Sequence, residues 1–166
     1  IGNSGEYYVA GKLASYTSGS DPYNWADYPY HFWTGAVSVP GITSSNSDLL
    51  TVNGNESMVL DPNMSSHDAA KGQPALITLV AVDGKTNTYY VKVGADYLTS
   101  TQAANRKLGK TSTPSEWVAS NNSNGGISLK HVDTGVYLGT AGATSKLCRS
   151  YTNESTLKYG LVFFTK

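Results

Sequence analysis

The chain repeats itself, and that constrains its fold more than any other feature. Asp48-Leu49-Leu50-Thr51 returns as Asp96-Tyr97-Leu98-Thr99, and Val136-Tyr137-Leu138-Gly139 is a third version. A further leucine follows each copy, at Leu60, Leu108 and Leu147. An alternating apolar run precedes each copy (Ala36 to Val39, Tyr89 to Val93, Ile127 to His131), and another follows (Leu76 to Val82, Trp117 to Ala119, Leu161 to Phe164). Successive side chains of a strand point to opposite faces, so a period of two marks strands with one face buried. Gly, Asn, Asp and Pro clusters punctuate the runs as turns. The spacing predicts three units, at about 35–83, 84–120 and 121–166, each of four strands in the order long, short, short, long. A unit of that size cannot bury its own apolar face, but three closing on one another share a core.

Within the third unit, Ile127-Ser128-Leu129-Lys130-His131-Val132-Asp133-Thr134-Gly135-Val136-Tyr137-Leu138-Gly139 resembles the repeat of the β-trefoil fold, shared by many lectins and carbohydrate-binding modules. The resemblance implies an all-β chain and a non-catalytic, lectin-like domain whose partner is a glycan or glycoprotein. The Gln-x-Trp signature of ricin-B-type trefoils is missing, since Trp117 follows Ser115-Glu116, so that family's sugar-binding residues do not transfer. Gly5-Glu6-Tyr7-Tyr8-Val9 also resembles the start of soybean-trypsin-inhibitor-like trefoils, but a single cysteine cannot form the disulfides normal there. The alternative architecture is a jelly-roll or β-sandwich in which the apparent repeats are evenly spaced strands.

Composition narrows the partners. Only 14% of the 166 residues are charged, with 12 basic and 12 acidic side chains, so solubility rests on Gly, Ser, Thr, Asn and Tyr. Nucleic acid and anionic membrane demand clustered positive charge, and neither is expected as a partner. No apolar run reaches the roughly 18 residues of a spanning helix, so membrane insertion by a helix is not expected. Cys148 is alone, which excludes an internal disulfide and a cysteine-based zinc site. Asn-x-Ser triplets at Asn55, Asn63, Asn121 and Asn153, with a start at Ile1, fit a secreted or cell-surface location and a larger host protein. A chain rich in Asn and Ser also carries such triplets by chance.

Residues 1–34 stand outside the triple pattern. Glu6 to Leu13 reads as an additional strand, and the stretch from Asp21 to Trp33 holds six aromatics plus His31. A Tyr or Trp face stacks on the C–H face of a sugar while a neighbouring Asp or Asn binds its hydroxyls. The candidate ligand-binding residues are therefore Asp21, Tyr23, Trp25, Asp27, Tyr28 and Tyr30, with Phe32 and Trp33 assigned to packing. The competing account has the aromatics plugging the barrel. Asp133 and Tyr137, with Asp83, Asp96, Thr134 and Tyr97, form a second candidate set in the repeat connections, where Asp83-Gly84 and Asp133-Thr134-Gly135 are equally ordinary turn chemistry.

No signature of catalysis stands out. His31, His67 and His131 are isolated, without zinc-site spacing, and no Gly-x-Ser-x-Gly elbow occurs. Asp21 with Asp27, or Asp61 with Asp68, falls short of a calcium loop's ligand density, so no metal or cofactor is expected. Cys148 reads as a small buried thiol, Asn105 to Lys110 as a solvated hairpin, and Ser65 to Gly72 as a turn or two of helix. A protein-recognition module, such as a protease inhibitor or an adhesin domain of a phage or cell surface, is the rival function; it would use the same Tyr/Ser/Gly/Asn-rich loops.

Overall fold

A computed structural model describes residues 4–13, 30–36, 51–52, 56–61, 73–74, 76–105, 107–123, 125–139, 149–157 and 159–165. These residues are all-β apart from one 3-10 turn, Glu154–Thr156. The strands are β1 (Gly5–Leu13), β2 (Tyr30–Ala36), β3 (Thr51–Val52), β4 (Glu56–Asp61), β5 (Gln73–Pro74), β6 (Leu76–Ala81), β7 (Thr88–Val93), β8 (Asp96–Ser100), β9 (Leu108–Thr111), β10 (Glu116–Asn121), β11 (Ile127–His131), β12 (Tyr137–Gly139), β13 (Arg149–Tyr151) and β14 (Tyr159–Thr165). The local patterns of β1, β6, β7, β10, β11 and β14 predict these strands to within a few residues. The helical candidate at 65–72 and Cys148 lie outside the described residues.

Six strands close a barrel. β1 pairs with β6, β6 with β7, β7 with β10, β10 with β11, β11 with β14, and β14 with β1, all antiparallel. Closure removes the exposed edges that an open sheet would leave. A ring of this kind replaces the two facing sheets of the sandwich alternative. Every second barrel strand carries an outer hairpin: β2 with β4 on β1, β8 with β9 on β7, and β12 with β13 on β11.

The ladders repeat one register. In the first set Val9 faces Phe163, Val91 faces Leu79, and Leu129 faces Ala119. In the second, two residues back along β1, β7 and β11, Tyr7 faces Ile77, Tyr89 faces Trp117, and Ile127 faces Leu161. Both sets make Val9, Val91 and Leu129 equivalent, and likewise Ile77, Trp117 and Leu161. All six are at most 2% exposed. Each such aliphatic residue contributes about 1.5–3 kcal/mol by leaving water, so two matched layers form the centre of the core.

The outer hairpins keep the same register and correct the expected repeat. Ala10 pairs with Phe32, Lys92 with Tyr97, and Lys130 with Tyr137. Across the hairpins, Phe32 faces Asp61, Tyr97 faces Thr111, and Tyr137 faces Tyr151. The counterpart of Tyr97-Leu98-Thr99 is thus Phe32-Trp33-Thr34, not Asp48-Leu49-Leu50-Thr51, of which only Thr51 is described. Leu49 and Leu50, which carry the leucine spacing of the first unit, lie outside the described residues. β1, which the pattern sets outside the repeats, is a barrel strand between β14 and β6.

The seam between β11 and β14 depends on two glycines. Gly126 has φ +79, and a Cβ there would stand 2.8 Å from the Gly160 carbonyl carbon; a Cβ on Gly160 would run into the Gly125 carbonyl oxygen. The backbones approach too closely for any side chain.

Candidate functional site

β1, β7 and β11 run in one sense and β6, β10 and β14 in the other, so the β1–β2, β7–β8 and β11–β12 connections leave from the same rim. In two places the connection is short, at 94–95 and 132–136. In the third, residues 14–29 join β1 to β2, and the Lys12–Tyr30 pair fixes where they depart and return. Asp21, Tyr23, Trp25, Asp27 and Tyr28 lie in that connection and outside the described residues. Tyr30 opens β2, described as backbone only.

Asp133 and Tyr137, the other two candidates, belong to the β11–β12 hairpin on that rim. Asp133 is exposed in the turn and Tyr137 is half-buried on β12. The ammonium of Lys130 sits 5.5 Å from the Tyr137 ring centroid, and that of Lys92 sits 5.4 Å from the Tyr97 centroid. Each Lys faces its Tyr across an equivalent strand pair, so one cation–π contact is made twice. Tyr90 packs edge-on to Tyr97 at 5.9 Å. A ring with its face under a lysine from its own chain is a poor platform for a sugar, which weakens Tyr97 and Tyr137 as stacking residues.

The most structured chemistry at this rim centres on His131, a residue its sequence neighbours do not single out. The side chain is 2% exposed, with its ring 4.8 Å from that of Trp117, which it faces across the β10–β11 ladder. Nδ1 accepts the Thr134 backbone N–H at 3.3 Å and the Thr134 hydroxyl at 2.8 Å. A backbone N–H can only donate, so these partners assign the mobile proton to Nε2. Nε2–H then donates to Ser115 Oγ at 2.6 Å, and the Ser115 and Thr99 hydroxyls share a hydrogen bond at 3.0 Å. Burial pushes the imidazole below its ordinary range, while Asp133 pulls weakly the other way.

This network joins β8, the residue before β10, the end of β11 and the β11–β12 turn. Ser115 and His131 have the spacing of a nucleophile and base, but the tautomer is reversed. The imidazole donates its Nε2–H to the serine hydroxyl, so the nitrogen that faces Ser115 carries no lone pair to accept the serine proton, and the pair acts as a buried polar tie. Trp117 adds a second tie, donating Nε1–H to the Leu98 carbonyl at 3.1 Å. Thr134 is a turn residue, and Gly135 closes the turn by donating its N–H to the His131 carbonyl at 2.9 Å. No signal in the sequence joins Ser115 to His131, because only the β10–β11 pairing brings them together.

Among the described residues no cluster of three His, Cys, Asp or Glu side chains is placed to hold a metal ion. Asp83 is exposed in the β6–β7 turn, and Asp96 lies 3.9 Å from Lys110. Of the Asn105 to Lys110 cluster, Asn105 accepts from the backbone N–H and hydroxyl of Thr152, which pins the β8–β9 loop to the neighbouring hairpin. No helix of the described residues is long and apolar enough to cross a membrane. Scanned against protein-family models and compared with curated proteins, the chain matches none of them.

Proposed function

We propose that this chain is a lectin-like β-trefoil: a non-catalytic, glycan-binding domain of a secreted or surface protein. The trefoil reading is supported by the register, which relates three hairpin-bearing strand pairs around a six-stranded ring. The units then open at β1, β7 and β11. One observation carries the binding reading: an aromatic-rich connection, residues 14–29, begins and ends on the rim where the equivalent connections are short. Tyr23, Trp25 and Tyr28 supply stacking faces, and Asp21 and Asp27 supply acceptors for sugar hydroxyls. Fold alone does not fix a ligand, so the site residues bear the proposal.

The test is a glycan array probed with the chain and with a Trp25→Ala, Tyr28→Ala double variant. Binding by the parent that the variant loses, at an unchanged melting temperature, supports the reading. A silent array with a folded protein refutes it. A protein-recognition module is then the favoured function, because the long connection occurs at one of three matching places on the rim. A protease panel and a pull-down test that second reading.

A further inference from the structure

We propose that the β11–β12 turn is a pH-operated latch, held shut by neutral His131 and released when the imidazole takes a second proton. The latch is independent of which ligand the rim takes.

Four contacts hold the turn, three within the hairpin and one to β10. Nδ1 of His131 accepts from Thr134, the Gly135 N–H reaches the His131 carbonyl at 2.9 Å, the His131 N–H reaches the Val136 carbonyl at 2.8 Å, and the Val132 N–H reaches the Glu116 carbonyl at 3.0 Å. Only the first depends on protonation state. A proton on Nδ1 turns an acceptor into a donor that faces the Thr134 backbone N–H. The hydroxyl can rotate to accept, but the backbone N–H cannot, and it is left without its partner. The cation would also sit in a nearly water-free position against Trp117.

The charged groups around the ring do not offset this. On its own hairpin are Lys130, whose ammonium lies over Tyr137, and Asp133, whose exposed carboxylate acts on the ring weakly from the turn. On β10, Glu116 is held by Lys85 at 2.7 Å. From β8 and the residue before β10 come only the hydroxyls of Thr99 and Ser115. Among the described residues no carboxylate lies within ion-pair distance of the imidazole. A second proton is accommodated by swinging the side chain into water, which carries 132–135 outward.

His131 binds its proton less readily in the closed state than a free imidazole does, so the closed state is fully favoured above the ordinary value of 6.5 and loses ground as pH falls below it.

The test uses the full chain, labelled with nitrogen-15, in imidazole-detected NMR titration with amide hydrogen exchange. Expected at neutral pH is the Nε2–H tautomer. On acidification the His131 ring titrates below a free histidine, and over that interval the Thr134 and Gly135 amides lose at least tenfold protection while Leu79 and Val91 keep theirs. An Nδ1–H tautomer, a titration that leaves both turn amides unmoved, or simultaneous loss at Leu79 and Val91 would overturn the latch. A His131→Gln variant that folds should show turn amides insensitive to pH in that range; the parent titration decides the matter without it.

Discussion

Replacing Trp117 with Phe tests the barrel layer and its polar tie together. Trp117 is fully buried, matches Ile77 and Leu161 in register, and donates Nε1–H to the Leu98 carbonyl. A Phe ring in its place forfeits roughly 50 Å² of apolar burial, about 1 kcal/mol at 25 cal/mol per Å². Leaving the Leu98 carbonyl without a donor in a dry interior adds about 1–3 kcal/mol. The two terms give a loss of about 3 kcal/mol, with any unfilled space adding to it. Urea unfolding should show a lower midpoint at an unchanged slope, and thermal melting should fall by about 6–12 °C for a domain of this size. Val118→Ala on the same strand, at a position 37% exposed, is the control and should stay within about 0.5 kcal/mol. A Trp117→Phe loss below about 1 kcal/mol would refute the assignment of this indole to both the layer and the carbonyl.

Two further perturbations address how the ring closes. Gly160→Ala should cost more than about 3 kcal/mol or prevent folding, because its Cβ would meet the Gly125 carbonyl oxygen, whereas Gly84→Ala, at φ +73 with open space around it, should cost only about 1–2 kcal/mol. Equal losses on thermal melting would count against the close approach at the β11–β14 seam. Deleting residues 1–13 should abolish near-ultraviolet circular dichroism, since β1 bridges β14 and β6 and buries Val9 completely. A folded 14–166 chain would show that the barrel closes without β1.

Much of the strand content was legible because it is local. Alternating apolar residues bounded by turn formers need only the chain's own period, and Tyr89 to Val93 and Ile127 to His131 became β7 and β11 almost unchanged. The buried leucines at Leu98 and Leu138 were legible for the same reason. The first unit was not, because a search by residue identity selects leucines, whereas the counterpart of Leu98 is Trp33, displaced by residues 14–29 and 37–55. The candidate site divides along the same line: an aromatic-rich segment is visible in composition, but its attachment to one rim follows from strand direction.

The sequence by itself determined that the chain is all-β, built from short strands bounded by turn formers, with few charges in balance. Only the tertiary structure decided that the strands close into a ring, that β1 belongs to it, and that Ser115, Trp117 and His131 meet. The reason is physical: a period of two fixes which face of a strand is buried but not which strand lies beside it. Neighbours and register are set by the packing of matched layers and by glycines where backbones touch, and those exist only once distant segments have come together.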